Sequence, residues 1–378
     1  MLTKTNSEKD LFLMEEGITY LNCANMSPML KSVREAGLQA LETRAAPWKL
    51  SSQDWFTNAE ILRELAAKIF QTHNDNIAII PSASYGLAVA AKNIKLTAGK
   101  EIIILDQQFP SNYYVWQNLA SEQNLQIVTI KMGDNNTLTE SIIEKINGNT
   151  GIIAIPNCHW IDGTLIDLQQ ISNAAKTVGA LLVLDLSQSL GVLPIDINSI
   201  DPDFAVCVGY KWLMGPYSLG YIYVSKKWQH QGEPLEYSWA TKKGSDNFNT
   251  LTNYVTTYRN GARKFDMGEF PQINLAPMAI AGLKQIVNWK IDCIQTTIQK
   301  LTDRIIDYKI KRNIYDHNSL SAGHIVSIPL NIINVHALKE RLQNNKVVVS
   351  FRGTSIRISP HVYNDVDDID KLLYCLQG

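Results

Sequence analysis

The residues best suited to chemistry in this 378-residue chain are a lysine and an aspartate, each placed just after an apolar run. Lys211 follows the run 203–208 and is flanked by aromatic residues, leucine, methionine and glycine. Most lysines lie on solvated surfaces. An apolar setting lowers the pKa of a lysine, which helps its amine act as a nucleophile and proton carrier. The pattern therefore favours Lys211 as a covalent catalyst.

Asp185 ends the apolar run that starts at Ala180, and Gln188 follows three residues later. In open α/β sheets, the carboxyl ends of the strands face the ligand crevice. An unpaired buried carboxylate is costly. A protonated pyridine nitrogen would pair with Asp185 and leave the ring able to accept electrons, while the Gln188 amide could reach a phenolic oxygen on that ring. The alternatives are an aspartate in a turn or helix cap and a glutamine in a loop.

A third candidate is the small-residue segment that joins an early apolar run to a helical pattern. Small hydroxyl residues at the start of a helix satisfy its free amides. The same amides and the helix dipole also bind phosphate. The segment therefore predicts either a simple helix cap or a phosphate site. Its central residues are Ser82, Ala83 and Ser84.

These segments together resemble the class V aminotransferase superfamily of fold-type I pyridoxal 5'-phosphate (PLP) enzymes, over nearly the whole chain from residue 20 to 364. The resemblance implies that Lys211 forms a Schiff base with PLP. It also implies that Asp185 pairs with the pyridinium nitrogen and that Gln188 contacts the ring oxygen. The residues that would bind the cofactor phosphate are Ser82, Ala83 and Ser84.

The resemblance adds further contacts. Phe109 stands where many members have a histidine that stacks on the cofactor, and it resembles the phenylalanine found there in kynureninase-like members. Trp160 stands where relatives contact the ring face or the ring oxygen. Arg357 matches the arginine whose planar fork grips the substrate α-carboxylate. Taken alone, Phe109 would be a core aromatic and Arg357 a surface ion-pair residue, and the Asp162–Gly163 segment after Trp160 would be a plain turn. The remaining candidates are Tyr210 for the cofactor and Asn25 and His361 for the substrate.

The chain departs from the family at three places. Cysteine desulfurases carry a nucleophilic cysteine shortly before the carboxylate arginine, and residues 340–356 contain none. Val208 replaces a common phosphate-binding serine or threonine, and Tyr210 replaces a common histidine. Persulfide chemistry is therefore disfavoured, and phosphate contacts are expected to shift toward Tyr210 or a partner subunit.

Short apolar runs alternate with helical patterns along most of the chain, which predicts an α/β fold with a mainly parallel sheet. The predicted strands are 77–80, 101–105, 126–131, 151–155, 180–184, 203–208 and 219–224, and the predicted helices between them are 85–93, 111–122, 139–146 and 168–178. One long helix is predicted over 277–311. The tail predicts strand 324–328, helix 335–343, strands 347–351 and 355–358, and helix 366–376. The domain prediction is an N-terminal arm (1–30) packing with a small α+β C-terminal domain (286–378), and a large PLP-binding domain (31–285).

The first functional hypothesis is an aminotransferase acting on a small amino acid. The alternatives are a carbon–sulfur lyase, an epimerase or a kynureninase-like hydrolase, because the early steps are shared. A non-catalytic PLP-binding regulator is a third alternative, but it predicts an appended DNA-binding module or a lost lysine. The resemblance also implies a homodimer with the site at the subunit interface.

Composition excludes several partners. The 35 basic and 36 acidic residues give no basic stripe for nucleic acid. No apolar stretch is long enough to span a bilayer, and the polar first ten residues lack a signal core, which predicts a cytoplasmic protein. Five scattered cysteines without a C-x-x-C pair argue against a disulfide framework or a zinc site. No metal is expected.

Overall fold

The computed structural model describes residues 7–131, 136–314, 320–332 and 334–377. Residues 1–6 of the predicted arm lie outside this part. The strands are β1 Thr19–Tyr20, β2 Ile77–Ile80, β3 Glu101–Leu105, β4 Gln126–Ile130, β5 Thr150–Pro156, β6 Leu181–Asp185, β7 Phe204–Val208, β8 Gly220–Val224, β9 Val326–Pro329, β10 Val347–Val348, β11 Ser350–Arg352 and β12 Ser355–Ile358. The α-helices are α1 Lys31–Ala45, α2 Asp54–Phe70, α3 Ala83–Asn93, α4 Ser111–Gln123, α5 Leu138–Ile143, α6 Leu168–Val178, α7 Ile197–Ile200, α8 Lys226–Gln231, α9 Leu275–Trp289, α10 Ile291–Lys311, α11 Val335–Asn344 and α12 Val366–Leu376.

A seven-stranded sheet in the order β2-β8-β7-β6-β5-β3-β4 forms the centre of the fold. The five strands from β7 to β4 pair in parallel, and β8 runs antiparallel to both of its neighbours. A strand that is covered on both faces has a continuous apolar sequence. Strands β2, β7 and β8 have such sequences, and they are buried at every position. The predicted α/β fold with a mainly parallel sheet is confirmed.

Alternate residues of each strand contribute to two separate hydrophobic cores, because successive side chains point to opposite faces of the sheet. In β2, Ile77 and Ile79 belong to the core on one face, which also contains residues of α2, α6 and α9. Ala78 and Ile80 belong to the core on the other face, which also contains residues of α3 and α4. The sheet is therefore held between two helical layers.

The C-terminal part contains a three-stranded antiparallel sheet in the order β11-β12-β9, packed against α10, α11 and α12. Strand β1 of the arm pairs in parallel with β10, with Thr19 opposite Val347. The division at 31–285 and 286–378 stays a prediction.

Two elements that were predicted as continuous are divided in the structure. The single helix over 277–311 is two helices, α9 and α10, because Lys290 adopts a left-handed φ of 67° that no helix continues through. The single strand over 347–351 is divided into β10 and β11, which pair with different partners. Within the described ranges, no helix combines the length and apolar character needed to cross a bilayer.

Candidate active site

Parallel strands of the central sheet end at one edge, and the loops after these ends carry the predicted cofactor residues. Strand β3 ends at Leu105, β5 at Pro156, β6 at Asp185 and β7 at Val208. The following loops place Phe109, Trp160, Gln188, Tyr210 and Lys211 at this edge. This is the position at which open α/β sheets bind ligands.

Lys211 is buried, with 7% of its surface exposed. Its Nζ lies 5.5 Å from the centre of the Phe109 ring and 5.8 Å from that of Tyr210. Gly209 shapes the turn before the lysine, since a Cβ there would lie 2.6 Å from the Leu219 carbonyl oxygen. Burial lowers the pKa of Lys211 to about 8, against the attraction of Asp185. A substantial fraction of the amine is therefore neutral near physiological pH.

Asp185 lies at the carboxyl end of β6 and is also buried, with 7% exposed. Its Oδ1 accepts a hydrogen bond from the Ser187 amide at 3.0 Å. Its other oxygen accepts none from the described residues, and none of their salt bridges includes Asp185. A buried carboxylate with a free oxygen fits a cationic ring nitrogen.

Both ends of the Gln188 amide are held by the protein. Its Nε2 donates to the Ala24 carbonyl at 3.0 Å, and its Oε1 accepts from the Trp212 indole at 2.9 Å. The backbone oxygen of Gln188 lies 2.6 Å from His324 Nε2. These bonds anchor the N-terminal arm at the sheet edge and leave one amide hydrogen for a ligand. A contact of Gln188 with the ring oxygen stays a prediction.

The phosphate-site candidates open helix α3. Ser82 caps the helix, with its Oγ accepting from the Tyr85 amide at 3.1 Å, and Ser84 Oγ donates to Ser111 Oγ at 2.9 Å. The first amides of any helix lack intrahelical partners, so those of Ala83 and Ser84 are available to an anion. Gly86 serves packing, because a Cβ there would lie 2.6 Å from a methyl group of Val206.

Phe109 and Trp160 form an aromatic corner beside the lysine. Their ring centres are 5.4 Å apart in an edge-to-face arrangement. Trp160 Nε1 donates to the Gln107 carbonyl at 2.7 Å, which fixes the indole. Phe109 is 37% exposed, so one part of its ring is open to a ligand. The Asp162–Gly163 segment after Trp160 is a turn.

Arg357, on β12, approaches the site from the C-terminal part. It is 1% exposed, and its Nη1 donates to the Trp160 carbonyl at 2.8 Å. Its Nε is buried without a hydrogen-bond partner, and no acidic residue of the described ranges forms a salt bridge with it. Burial and the neighbouring Arg352 lower its pKa to about 10, so it remains charged at neutral pH. An unpaired buried cation of this kind is suited to a carboxylate ligand.

The other substrate candidates lie in contrasting places. His361 is fully buried among the rings of Trp212, Trp289 and Tyr363. Burial lowers its pKa to about 3, and neither ring nitrogen has a partner. This placement disfavours contact with a substrate. Asn25 is exposed, and its Oδ1 accepts from Arg352 Nη2 at 3.3 Å.

Two residues that shape the site were missed by the sequence analysis. Trp212 holds the Gln188 side chain, and His324 holds the Gln188 backbone. Burial lowers the pKa of His324 to about 4, so its ring is neutral. His324 is 136 residues from Gln188 in sequence, and no local pattern connects them. Trp212 was visible only as an aromatic neighbour of Lys211.

Comparison with known proteins places these features in context. The family model for class-V aminotransferases matches residues 20–372. An uncharacterized aminotransferase, YcbU of Bacillus subtilis, is 24% identical over 82% of this chain and 80% of its own length. A probable cysteine desulfurase of Pyrococcus abyssi is 25% identical over 98% of this chain and 96% of its own. A solved variant of C-DES, with glycine covalently linked to its PLP cofactor, superposes with a TM-score of 0.82 at 18% identity and 98% coverage of both chains.

Proposed function

Because this chain belongs to the class-V aminotransferase family of PLP-dependent enzymes, we propose that it acts on a small α-amino acid at the site around Lys211, most simply as an aminotransferase. The observation that carries this proposal is the buried Lys211 amine, which is subject to the opposing charges of Asp185 and Arg357. This arrangement supplies a nucleophile, an anion for a ring nitrogen and a cation for a carboxylate.

The residues present fit PLP. Lys211 would bind the aldehyde carbon of PLP, and the free oxygen of Asp185 would accept a hydrogen bond from the ring nitrogen. The first amides of α3 would bind the phosphate. Phe109 would contact the ring. When bound, PLP supplies an electron sink that stabilises negative charge at the substrate Cα.

The protein's own residues would position the substrate and move the proton. Arg357 binds the α-carboxylate through two charge-assisted hydrogen bonds and thereby orients the bond that must break at Cα. The neutral amine of Lys211 accepts the Cα proton at Nζ. If Nζ then returned the proton to the former aldehyde carbon of PLP, addition of water would release a 2-oxo acid and leave the amino group on the cofactor, and a second 2-oxo acid would accept the amino group by the reverse of these steps. Phe109 and Trp160 exclude water from the amine during these steps.

Carbon–sulfur bond cleavage is the second candidate. It is supported by the similarity to a probable cysteine desulfurase over 98% of this chain. A protein-bound persulfide is disfavoured because residues 340–356 contain no cysteine. Cys23 and Cys158 are fully buried, and burial raises the pKa of Cys23 to about 12 and that of Cys158 further still. A lyase of this kind would release sulfur directly.

The test is a screen of L-amino acids against the purified, PLP-loaded protein, with products identified by mass spectrometry. Amino-group transfer is expected to require a 2-oxo acid acceptor. Release of pyruvate and ammonia from cysteine-like substrates without an acceptor would support the lyase and overturn transamination. If no amino acid changes the cofactor absorbance or yields a product, both candidates fail.

The shifted pKa of Lys211 gives a second expectation. Only the neutral amine attacks an aldehyde, so PLP capture by cofactor-free protein should accelerate with pH and level off above about pH 8. At pH 7.5 about a quarter of the Lys211 amine would be neutral, compared with about 0.1% for an ordinary lysine. Stopped-flow absorbance across a pH series measures this dependence. A rate that still rises tenfold per pH unit up to pH 10 would contradict it.

The family resemblance also supports a homodimer with the site at its interface and a cytoplasmic location as parts of this proposal. Sedimentation of the active protein tests the first part, and full activity in a monomer would refute it.

A further inference from the structure

Arg352 lies beside Arg357 on the same face of a β-hairpin. In the antiparallel pair of β11 and β12, Ser350 is opposite Arg357 and Arg352 is opposite Ser355. Residues two apart on one strand share a face, as do directly opposed residues. The two arginines are thus diagonal neighbours, and side chains in such positions start about 7–8 Å apart.

Both guanidinium groups face the aromatic corner of the site. The Cζ atoms of Arg352 and Arg357 each lie 5.9 Å from the centre of the Trp160 ring. Arg352 also acts electrostatically on Lys211 and on Arg357, in both cases disfavouring the protonated form. The second arginine therefore belongs to the same electrostatic field as the proposed substrate carboxylate and the amine.

Arg352 has only neutral partners in the described part of the chain. Its Nη1 donates to the Phe351 carbonyl at 3.0 Å, and its Nη2 donates to Asn25 Oδ1 at 3.3 Å. None of the salt bridges there includes Arg352 or Arg357. Two like charges brought together without an acidic residue repel each other, and an anionic ligand relieves that repulsion. The substrate α-carboxylate accounts for Arg357 and leaves Arg352 without a counter-charge.

We propose that Arg352 binds a second anionic group on the substrate, so that the enzyme prefers amino acids with an acidic side chain over neutral ones. This inference rests on the proposed function and narrows its substrate class. Asn25 acts as a positioning residue, because it holds the Arg352 guanidinium through Nη2. With Nη1 bound to the Phe351 carbonyl, three of the five N–H donors of the guanidinium are left for a ligand. A carboxylate or sulfinate at the end of a short side chain has the required charge and acceptor oxygens.

Binding of unreactive acids to the PLP-loaded protein tests the inference without turnover. Succinate and butyrate have four carbons each and differ by one carboxylate. Titration calorimetry should show succinate binding about tenfold or more tightly than butyrate, as expected for a hydrogen bond between charged groups. Arg352→Gln should abolish this preference, and Arg357→Gln should weaken both acids. Equal affinities in the unmodified protein would overturn the inference, whichever variants fold.

Lys339 offers a matched control for the loss of one positive charge. It is exposed on α11, and its Nζ lies 5.2 Å from the ring of Phe351, whose side chain is on the opposite face of β11 from Arg352. Lys339→Gln should retain the succinate preference. If Lys339→Gln reduces the succinate preference as much as Arg352→Gln does, the preference depends on the total charge of the protein, and the assignment of Arg352 to the second anionic group fails.

Steady-state kinetics provide the second readout. With L-aspartate and its neutral isostere L-asparagine, Arg352→Gln should raise KM for aspartate and lower the ratio of kcat/KM for aspartate to kcat/KM for asparagine about tenfold or more. An equal loss for both would make Arg352 a structural residue and overturn the inference. If the protein prefers succinate but turns over no amino acid, the recognition of two anionic groups is supported and the proposed reaction is refuted. Failure of this inference is therefore distinguishable from failure of the proposed function.

Discussion

Replacement of Lys211 by alanine is expected to abolish covalent attachment of PLP and to lower turnover by about 10²–10⁴-fold. The variant loses both the nucleophile that holds the aldehyde and the base that accepts the Cα proton. Borohydride reduction followed by mass spectrometry should show one cofactor fixed to the unmodified protein and none fixed to Lys211→Ala. Burial disfavours the charged form of Lys211, so the fold should be retained when its side chain is shortened, which circular dichroism will verify.

Lys264 provides the matched control because it is buried to the same extent. Each lysine is 7% exposed, and burial lowers the pKa of each. Lys264, however, lies 5.2 Å from the Phe265 ring and is attracted by Glu233, away from Asp185. Lys264→Ala should capture PLP normally. A cofactor adduct that survives in Lys211→Ala and disappears in Lys264→Ala would show that the wrong lysine has been assigned.

Replacement of Arg63 by alanine is expected to destabilise the protein by about 3–5 kcal/mol, because it leaves a buried carboxylate without its counter-charge. Arg63 is fully buried on α2 and binds both carboxylate oxygens of Asp266 at 2.9 and 2.8 Å. It also donates to the Ile77 carbonyl, while Asp266 accepts from the Ile79 amide. The pair therefore joins α2, β2 and the segment that precedes α9. Chemical denaturation of the PLP-loaded protein measures the loss.

An exposed ion pair supplies the comparison. Arg304 and Asp370 form a salt bridge whose side chains are 43% and 51% exposed, and Arg304→Ala should cost less than about 1 kcal/mol. Combining Arg63→Met with Asp266→Leu should recover much of the loss, because no unpaired charge then remains buried. If Arg63→Ala destabilises no more than Arg304→Ala, the buried pair does not stabilise the fold as argued.

The central sheet was predictable because its strands are covered on both faces. Short, continuous apolar runs such as Ile77–Ile80 and Phe204–Val208 are typical of strands in the interior of a sheet that is covered on both faces. The break at Lys290 was not predictable, since the apolar periodicity continues through it and only the backbone conformation reveals the end of α9. The division of 347–351 depended on β1, a partner more than 300 residues away.

The amino-acid sequence was sufficient to predict that Lys211 and Asp185 lie at the edge of the sheet, because each stands at or near the end of an apolar run and the burial of that run decides where its end lies. The environment of the other candidate residues depends on contacts that form when the chain folds. Packing buried His361 among aromatic rings and occupied both ends of the Gln188 amide. Strand pairing placed Arg352 on the same face as Arg357. Such contacts join residues far apart in the chain, and their free energy depends on geometry that no local pattern encodes.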